Sequence, residues 1–376
     1  MRIKDFEFNL RETAGSMGDF GTLFPLAIGY FAVNGLNPAG LLVMMGLANI
    51  ITGIVYRLPM PIEPMKVLAA TAIAQRWSPS MVYATGFGTG VIWLVLSFAG
   101  LVKKIAAVTP RSVVRGIQVA LGIMLAVEGF KMVSTGWILG VVSIVVVVLL
   151  RNSRYAPAAI VLMALGVAVM GFKGELAGVA SFSFTLPPIT TFKPMEIWQG
   201  MVLAGFAQIA LTATNAVIAT SALITEYFPN KVVSEKKLAL DHGFMNVIPP
   251  FFGGMPMCHG AGGLAGQYYF GARTGGTNII EGVIEISLGL FLAGSIAALF
   301  ALFPTSIIGA MLFLVGIQLT GFARNIKSGE LPMMVLVTVL SLLTNMAIGF
   351  VVALVVFHAI RRWGKDKKYL NWMVDA

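Results

Sequence analysis

Long apolar runs alternate along this chain with short breaks of charged, proline-rich or glycine-rich sequence. A helix that crosses a membrane needs about 20 apolar residues, and although several runs are shorter, each has the length of a full or partial span. The pattern predicts an all-α polytopic membrane protein with fourteen segments, near residues 16–33, 38–56, 62–75, 80–101, 112–130, 133–150, 156–172, 196–226, 238–253, 257–270, 280–302, 305–322, 331–345 and 346–360.

The composition agrees with lipid as the solvent for this protein. Hydrophobic residues make up 57% of the sequence and charged residues only 11%, with a mean hydropathy of +0.87. The polar stretches at the two ends are each too short to bury a core of their own. We therefore expect residues 1–376 to form a single transmembrane domain without a regulatory carboxy-terminal domain, and the charged opening segment does not resemble a signal peptide.

The formal net charge of +10 comes mainly from lysines and arginines that flank the apolar runs. With an even number of segments and the basic amino terminus inside, 21 of the 26 Lys and Arg residues fall on the cytoplasmic side, four fall outside, and Lys66 lies within a segment. The positive-inside rule explains this bias, so the charge gives no reason to expect a nucleic-acid partner. The prediction is a multi-pass protein of the cell membrane with both termini in the cytoplasm.

Two related segments lie half a chain apart. Residues 59–70 (PMPIEPMKVLAA) and 255–266 (MPMCHGAGGLAG) share a Met-Pro opening followed by a run of small residues, and Pro61 and Pro256 are 195 positions apart. The second lies seven predicted segments after the first, and an odd offset inverts the second copy across the membrane. Inverted repeats with interrupted helices are typical of secondary transporters, which predicts repeats at about residues 12–175 and 195–362.

The proline-rich segment predicts extended backbone at membrane depth, because proline cannot donate a backbone hydrogen bond and disfavours helix at the preceding residue. Short helices can begin after Pro64 and after His259, and each start presents free N–H groups and a partial positive charge. Two such starts aimed at one point form an anion site. Lys66 adds a full positive charge to it, while Gly260 and Gly262 allow a ligand to approach the backbone closely.

Each of these candidates also has a structural interpretation. Lys66 can pair with Glu63 three residues earlier, and this pairing can coexist with anion binding. Charged groups inside a membrane are costly, which makes Glu63 and Lys66 functional candidates. His259 can donate to an anion or titrate, although a single histidine is more often a core residue with its hydrogen bonds satisfied.

Two further segments are more polar than lipid-facing helices: residues 18–26 (GDFGTLFPL) and 208–220 (QIALTATNAVIAT). Their hydroxyl and amide groups are suitable donors to an oxyanion, and hydrogen bonds between helices explain them almost equally well. A single cysteine, Cys258, excludes a disulfide framework and a multi-cysteine metal cluster. No Walker-type phosphate loop occurs, and we expect no cofactor.

The motifs GDFGTLFPL, PMPIEPMK, LTATNAVIAT and PMCHGAGGLAGQYYFGARTG together resemble the molybdate transporter family, a branch of the sulfate permease superfamily. The resemblance implies seven plus seven inverted segments, in which segments one to four and eight to eleven form a core that moves against a gate domain. It implies molybdate or a related oxyanion as the substrate. The binding residues that it implies are Pro64, Met65, Lys66, His259, Gly260, Ala261 and Gly262, with Thr22, Gln208, Thr212 and Asn215 as further assignments.

Glu63 departs from the family pattern, in which many members carry glutamine at that position. The departure leaves the net charge of the site and the coupling ion open. One hypothesis is that Glu63 becomes protonated beside a dianion and carries a proton with it; the alternative is that Glu63 stays ionised as the permanent partner of Lys66. The oligomeric state is also open, with a homodimer as one option.

Other functions are open at this point. The same fold can serve sulfate and other oxyanions, or a nucleobase–proton symporter, although such a symporter is expected to place a carboxylate where this chain has Cys258, His259 and Gly260. Broken helices and the lack of a charged ring disfavour an anion channel. An enzyme has the least support, since the sequence shows neither a nucleophile–base pair nor a metal-ligand cluster.

The charge asymmetry predicts a cytoplasmic carboxy terminus, and cysteine labelling in intact cells checks it. In a Cys258→Ala background, a cysteine introduced by Ala376→Cys should resist an impermeant maleimide until the cells are permeabilised. The control Lys173→Cys, on the side predicted to face outward, should react at once. Labelling of the tail from outside would contradict the predicted orientation.

Overall fold

The computed structural model of the chain describes residues 2, 3, 5–18, 20–150, 158–177, 179 and 182–363, without the side chains of residues 2, 21, 22, 322, 325 and 363. Helices dominate the described part. The amino-terminal half contains β1 (Arg2–Ile3), β2 (Phe6–Glu7), α1 (Leu10–Ser16), α2 (Phe20–Ala32), α3 (Pro38–Tyr56), β3 (Glu63–Pro64), α4 (Lys66–Ala74), α5 (Pro79–Phe98), α6 (Val102–Val108), α7 (Arg111–Val133), α8 (Trp137–Leu150) and α9 (Ala158–Phe172).

The carboxy-terminal half repeats this alternation of long and short elements. It contains α10 (Pro194–Gly200), α11 (Phe206–Leu211), α12 (Ala219–Tyr227), α13 (Glu235–Val247), β4 (Met257–Cys258), α14 (Ala261–Phe270), α15 (Gly276–Phe291), α16 (Ala293–Leu302), α17 (Thr305–Gly321), α18 (Leu331–Leu343) and α19 (Met346–Trp363). Two π-helical turns, Met201–Gly205 and Thr212–Ile218, join α10, α11 and α12 into one stretch.

Within the described residues, four helical stretches have the length and apolar composition to cross a membrane, and five if the bent pair α15 and α16 counts as one span. They are Pro38–Tyr56, Pro79–Phe98, Arg111–Leu150 and Pro194–Tyr227. This number is smaller than the fourteen predicted segments, because bends and half-helices leave many segments short. Near the amino terminus, β1 and β2 form a small antiparallel hairpin of two residues a strand.

Several predicted segments differ in detail from the structure. Segments 112–130 and 133–150 are joined by the 3-10 turn Ser134–Gly136 into one helical stretch of 40 residues. Segment 280–302 is two helices, α15 and α16, bent by 80°. Segments 62–75 and 257–270 contain only the half-helices α4 and α14, each preceded by a strand.

Helices α7 and α17 cross with their backbones in contact. A Cβ added to Gly316 would lie 2.6 Å from the carbonyl oxygen of Gly122, and one added to Gly129 would lie 2.5 Å from that of Gly309. Small residues permit this close approach, which favours helix association where apolar burial supplies no driving force. The glycines therefore determine how closely these two helices approach.

The pairs α3–α15 and α5–α13 pack in a similar way. A Cβ on Gly46 would lie 2.6 Å from the carbonyl oxygen of Gly282, and one on Gly90 would lie 2.7 Å from the carbonyl carbon of Asn246. Each pair joins one helix of the amino-terminal half to one of the carboxy-terminal half. The two halves are thus interlocked and do not pack as separate bundles.

The α7–α17 contact predicts that Gly316→Ala destabilises the protein by about 1–3 kcal/mol, because the added methyl group has no room and forces the helices apart. The matched control is Gly321→Ala at the end of the same helix, where an added Cβ would meet nothing within 4 Å. Thermal unfolding in detergent should show a lower midpoint for the first variant and an unchanged or slightly higher midpoint for the second. Equal midpoints would contradict the packing role.

Candidate functional site

The two proline-interrupted segments meet as a buried antiparallel strand pair. Glu63 lies opposite Cys258 and Pro64 opposite Met257. The backbone N–H of Met65 donates to the carbonyl oxygen of Pro256 at 2.9 Å. Each segment thus supplies partners for the polar backbone groups of the other, which irregular backbone inside a membrane requires.

Two asparagines complete this pairing. Asn278 of α15 accepts from the N–H of Met60 at 2.8 Å and donates to its carbonyl oxygen at 2.5 Å. Asn246 of α13 does the same for Met257, with both distances 2.7 Å. A side-chain amide has one acceptor and one donor end, so it can replace a neighbouring strand.

The half-helices α4 and α14 begin directly after the strands, as predicted. Their N-cap residues are Met65 and Gly260, and neither makes a side-chain capping hydrogen bond. The N–H groups of a first helical turn have no partner within the helix, and the start carries a partial charge of about +0.5.

Gln208 and Thr212, two of the predicted binding residues, support the start of α4. Gln208 Oε1 accepts from the backbone N–H of Val67 at 2.7 Å, and Gln208 Nε2 donates to Thr212 Oγ1 at 2.8 Å. Both side chains are buried. Their hydrogen-bonding groups thus hold the start of α4 in place. A π-helical turn begins at Thr212.

A cavity of about 170 Å³ lies between the half-helices and α7 and α17. Predicted binding residues from both halves of the chain line it, together with residues of α7 and α17. The lining consists of Glu63, Lys66, Gln118, Asn215, Gly262, Gly263, Val315, Gln318 and Leu319. Of the predicted binding residues, Glu63, Lys66, Asn215 and Gly262 are thus brought together.

Glu63 is buried and forms an ion pair with Lys66. Its carboxylate also lies against the start of α14, since a Cβ added to Gly260 would be 2.7 Å from Glu63 Oε2. A carboxylate at a helix start interacts favourably with the partial positive charge there. Glu63 therefore occupies the position that was predicted for a bound anion, between Lys66 and the start of α14.

The other predicted binding residues have different surroundings. Pro64 and Met65 form the strand and the N-cap before α4, and Ala261 is the first residue of α14. His259 is buried, and its ring contacts the carbonyl oxygen of Pro61 and the carboxylate of Asp241 instead of the cavity. Thr22 belongs to α2, but its side chain lies outside the described residues, as does the whole of Asp19.

Two polar residues that line the cavity were not predicted from the sequence. Gln118 of α7 accepts from Arg115 Nη1 at 2.9 Å, and Gln318 of α17 lies on the helix that packs against α7. A signal was available, because each glutamine is an isolated amide in an apolar helix and each ends a Gly-Ile-Gln triplet, at residues 116–118 and 316–318.

A larger cleft of about 500 Å³ lies elsewhere, lined by residues such as Phe31, Met132, Phe300 and Ile308. The described residues that line this cleft include no charged side chain. A charged ligand would lose its hydration there without compensation. Of these two cavities, the smaller one at the half-helices is the better candidate for an anion site.

Comparison with known proteins identifies the family of this chain. A family model described as "Molybdate transporter of MFS superfamily" matches residues 11–125 and 200–319. Molybdate transporter 1 of Arabidopsis thaliana is 32% identical, over 96% of this chain and 91% of that protein. The chain belongs to this molybdate transporter family. Molybdate transporter 1 of Chlamydomonas reinhardtii is 27% identical, over 93% of this chain and 91% of that protein.

Solved structures show the fold of this member of the molybdate transporter family. The transmembrane domain of the cyanobacterial bicarbonate transporter BicA matches with a TM-score of 0.66 at 16% identity, covering 91% of this chain and 96% of that domain. The structure of SLC26A9 matches with a TM-score of 0.72 at 12% identity, covering 98% of this chain and 67% of that one. The chain is thus a multi-pass, all-α membrane protein with an SLC26-like transmembrane fold, although the family description refers to the MFS superfamily.

These findings confirm the resemblance to molybdate transporters seen in the sequence. The membership also confirms that the chain is a transporter and not an enzyme. The family match covers both halves and includes the segments that form the cavity, residues 62–75 and 257–270.

Proposed function

We propose that this protein carries molybdate, or a related tetrahedral oxyanion, across the cell membrane by alternating access. The observation that carries the proposal is the cavity where Lys66 meets the start of α14 and the side-chain amides of Gln118, Asn215 and Gln318. The substrate named for the Arabidopsis relatives supports molybdate.

The lining suits an oxyanion in charge and in size. Lys66 supplies a full positive charge, the α14 start adds a partial one, and the three amides can donate to oxygen atoms. Gly262 and Gly263 leave the α14 backbone accessible. A tetrahedral oxyanion has five heavy atoms, and five water molecules occupy about 150 Å³ in the liquid. The cavity of about 170 Å³ is comparable.

Glu63 acts in this proposal as an internal anion. With the cavity free of substrate, its carboxylate neutralises Lys66 and the α14 start, so no uncompensated charge is buried. A dianion that takes these same partners must compete with the carboxylate. The ion pair supports the alternative in which Glu63 stays ionised beside Lys66, and not the hypothesis that Glu63 carries the proton.

Alternating access needs two parts that move, and the order of elements supports inverted repeats at about residues 12–175 and 195–362. A shift of 195 positions, the separation of Pro61 and Pro256, carries α3 onto α13, α4 onto α14, α5 onto α15 and α7 onto α17. The same shift relates the contact α3–α15 to the contact α13–α5. A pseudo-twofold axis in the membrane plane explains this pattern.

The position of the cavity supports a core that moves against a gate. Glu63, Lys66, Asn215, Gly262 and Gly263 come from segments assigned to the core, and α7 and α17 of the gate close the cavity with Gln118 and Gln318. Sliding of the core along α7 and α17 would open the cavity first to one side of the membrane and then to the other. The amide lining suits a sliding surface because its hydrogen bonds can be exchanged for bonds to water.

The first prediction for this site is that Lys66→Met weakens molybdate binding by about 1.5–3 kcal/mol, the value of a hydrogen bond to a charged group. Isothermal titration of purified protein with molybdate, tungstate and sulfate measures the loss and also ranks the dianions. Lys173→Met is the matched control, because Lys173 also pairs with a carboxylate, that of Glu175, but is exposed. Unchanged affinity in Lys66→Met would remove this lysine from the site.

The second prediction is that Glu63→Gln tightens molybdate binding by about tenfold or more. Like charges about 4 Å apart repel by ~4 kcal/mol at an effective dielectric constant near 20, and the glutamine removes that repulsion. Stimulation of uptake by an inward proton gradient should persist in this variant, and Glu175→Gln should change neither quantity. Loss of the gradient effect would instead assign the coupled proton to Glu63.

A further inference from the structure

A second buried polar cluster lies beside the cavity and does not line it. It contains His259, between β4 and α14, and Asp241 and His242 of α13. The ring of His259 is fully buried, with Nδ1 3.0 Å from the carbonyl oxygen of Pro61 and Nε2 2.8 Å from Asp241 Oδ2. The cluster therefore joins α13 to the extended segment that contains Glu63.

The hydrogen-bond partners of His259 determine how many protons His259 and Asp241 hold together; these two residues are called the pair below. A carbonyl oxygen can only accept, so Nδ1 must carry a hydrogen. Nε2 faces a carboxylate, and without a proton between them two lone pairs would meet at 2.8 Å. Either Nε2 donates to the carboxylate or a protonated carboxyl donates to Nε2. In both cases the pair is neutral, and loss of that proton leaves a buried charge of −1.

His242 does not share this proton. Its Nδ1 lies 2.6 Å from the carbonyl oxygen of Leu238 and so donates, while its Nε2 accepts from the backbone N–H of His259 at 3.2 Å. Both nitrogens of a neutral ring are thus satisfied. A second proton on His242 would break the contact to the His259 backbone.

The other titratable groups around the pair come from several elements. From α3, the Tyr56 ring stands edge-on to His259 with centroids 6.1 Å apart, and Lys237 of α13 lies 4.5 Å above that tyrosine. The Cys258 thiol of β4 is 3.9 Å from the carbonyl oxygen of Pro64. Glu63 and Lys66 neutralise each other on the neighbouring strand and helix.

Asp241 is the less buried member of the pair. Its side chain is 19% exposed in a largely apolar cleft of about 160 Å³ between α3 and α13, whereas His259 is fully buried. Asp241 lies six residues after Glu235, the first residue of α13, or ~9 Å along the helix at about 1.5 Å per residue. The start of α13 carries Lys236 and Lys237, on the side predicted to be cytoplasmic.

We propose that the His259–Asp241 pair is the proton-binding site that couples anion movement to protons, an inference that rests on the proposed function. His259 directly precedes Gly260, the N-cap of α14, and holds the carbonyl group two residues before Glu63. A dianion in the cavity favours the neutral, protonated pair over the negative one, and by linkage the protonated pair favours the dianion. The proton is taken from water and returned to water, and only the N–H or O–H bond changes.

Calorimetry of the wild-type protein tests the linkage directly. Molybdate binding in two buffers of different ionisation enthalpy should show uptake of up to one proton. Above the titration midpoint of the pair, the apparent Kd should rise by up to about tenfold per pH unit. Binding without proton uptake, with a Kd independent of pH across the range in which the protein stays folded, would overturn the proposal.

Proteoliposome transport of molybdate tests the residues. Asp241→Asn preserves the contact, because the amide can donate to Nε2 of a neutral ring, but it removes the titrating proton. The variant should retain molybdate counterflow and lose stimulation by a proton gradient. Glu285→Gln is the matched control. Glu285 is a buried carboxylate that accepts a hydrogen bond of 2.9 Å from Asn49 of α3. This variant should retain both counterflow and stimulation by a proton gradient.

The outcomes separate this inference from the proposed function. Wild-type gradient stimulation in Asp241→Asn would overturn the coupling role of the pair while leaving oxyanion transport intact. Absence of molybdate binding and counterflow in the wild-type protein would contradict the proposed function itself. If Asp241→Asn fails to fold, proton uptake that persists in Glu63→Gln supports the pair, and its absence from the wild-type protein overturns the proposal.

Discussion

The structure depends on one constraint, the pairing of extended backbone at membrane depth. Strands β3 and β4 form backbone hydrogen bonds with each other, and Asn246 and Asn278 bind backbone groups that have no partner on the opposite strand. The prolines reduce the requirement further, since Pro61, Pro64 and Pro256 bring no N–H group. Because these segments are satisfied within the protein, two helices can begin in its interior, where Gln208 caps α4 and Glu63 lies against the start of α14 beside the cavity.

The same environment restricts the charges. Lys66 is a full charge in a largely buried place and is tolerated because Glu63 pairs with it. Glu63 in turn lies against the start of α14, so a single carboxylate compensates both positive groups. A site that is neutral before binding becomes negative when a dianion enters. Compensation must then come from groups outside the cavity lining, which gives a proton on a neighbouring pair a physical role.

Local features were predictable from the sequence, whereas contacts between distant elements were not. The extended PMPIEP segment, the half-helix starts at Lys66 and Ala261 and the Glu63–Lys66 pair all follow from proline chemistry or i,i+3 spacing. Gln208 was predicted as a ligand residue because an amide in an apolar helix suits either role, and only the fold shows that it caps α4.

Two further features were not predicted from the sequence for the same reason. Asp241 was passed over because it stands among charged residues near the start of α13, while its partner His259 comes from a separate segment 18 positions away. The bend of 80° between α15 and α16 leaves no proline or charge as a marker in the sequence, and it depends on packing. Local chemistry thus predicted the half-helices, but the network that supports them required the tertiary structure.

The electrical work of transport links these features. A negative-inside potential opposes inward movement of each negative charge by ~2.3 kcal/mol per 100 mV, so a dianion alone meets about twice that value. In the proposed coupling, one proton on the His259–Asp241 pair would reduce the net translocated charge to −1 and halve the opposing work. Because the pair holds a single proton, the cycle stays electrogenic unless another group contributes. Glu63 cannot contribute while it remains ionised beside Lys66, so a one-proton cycle must draw on the pH gradient to balance the residual electrical work.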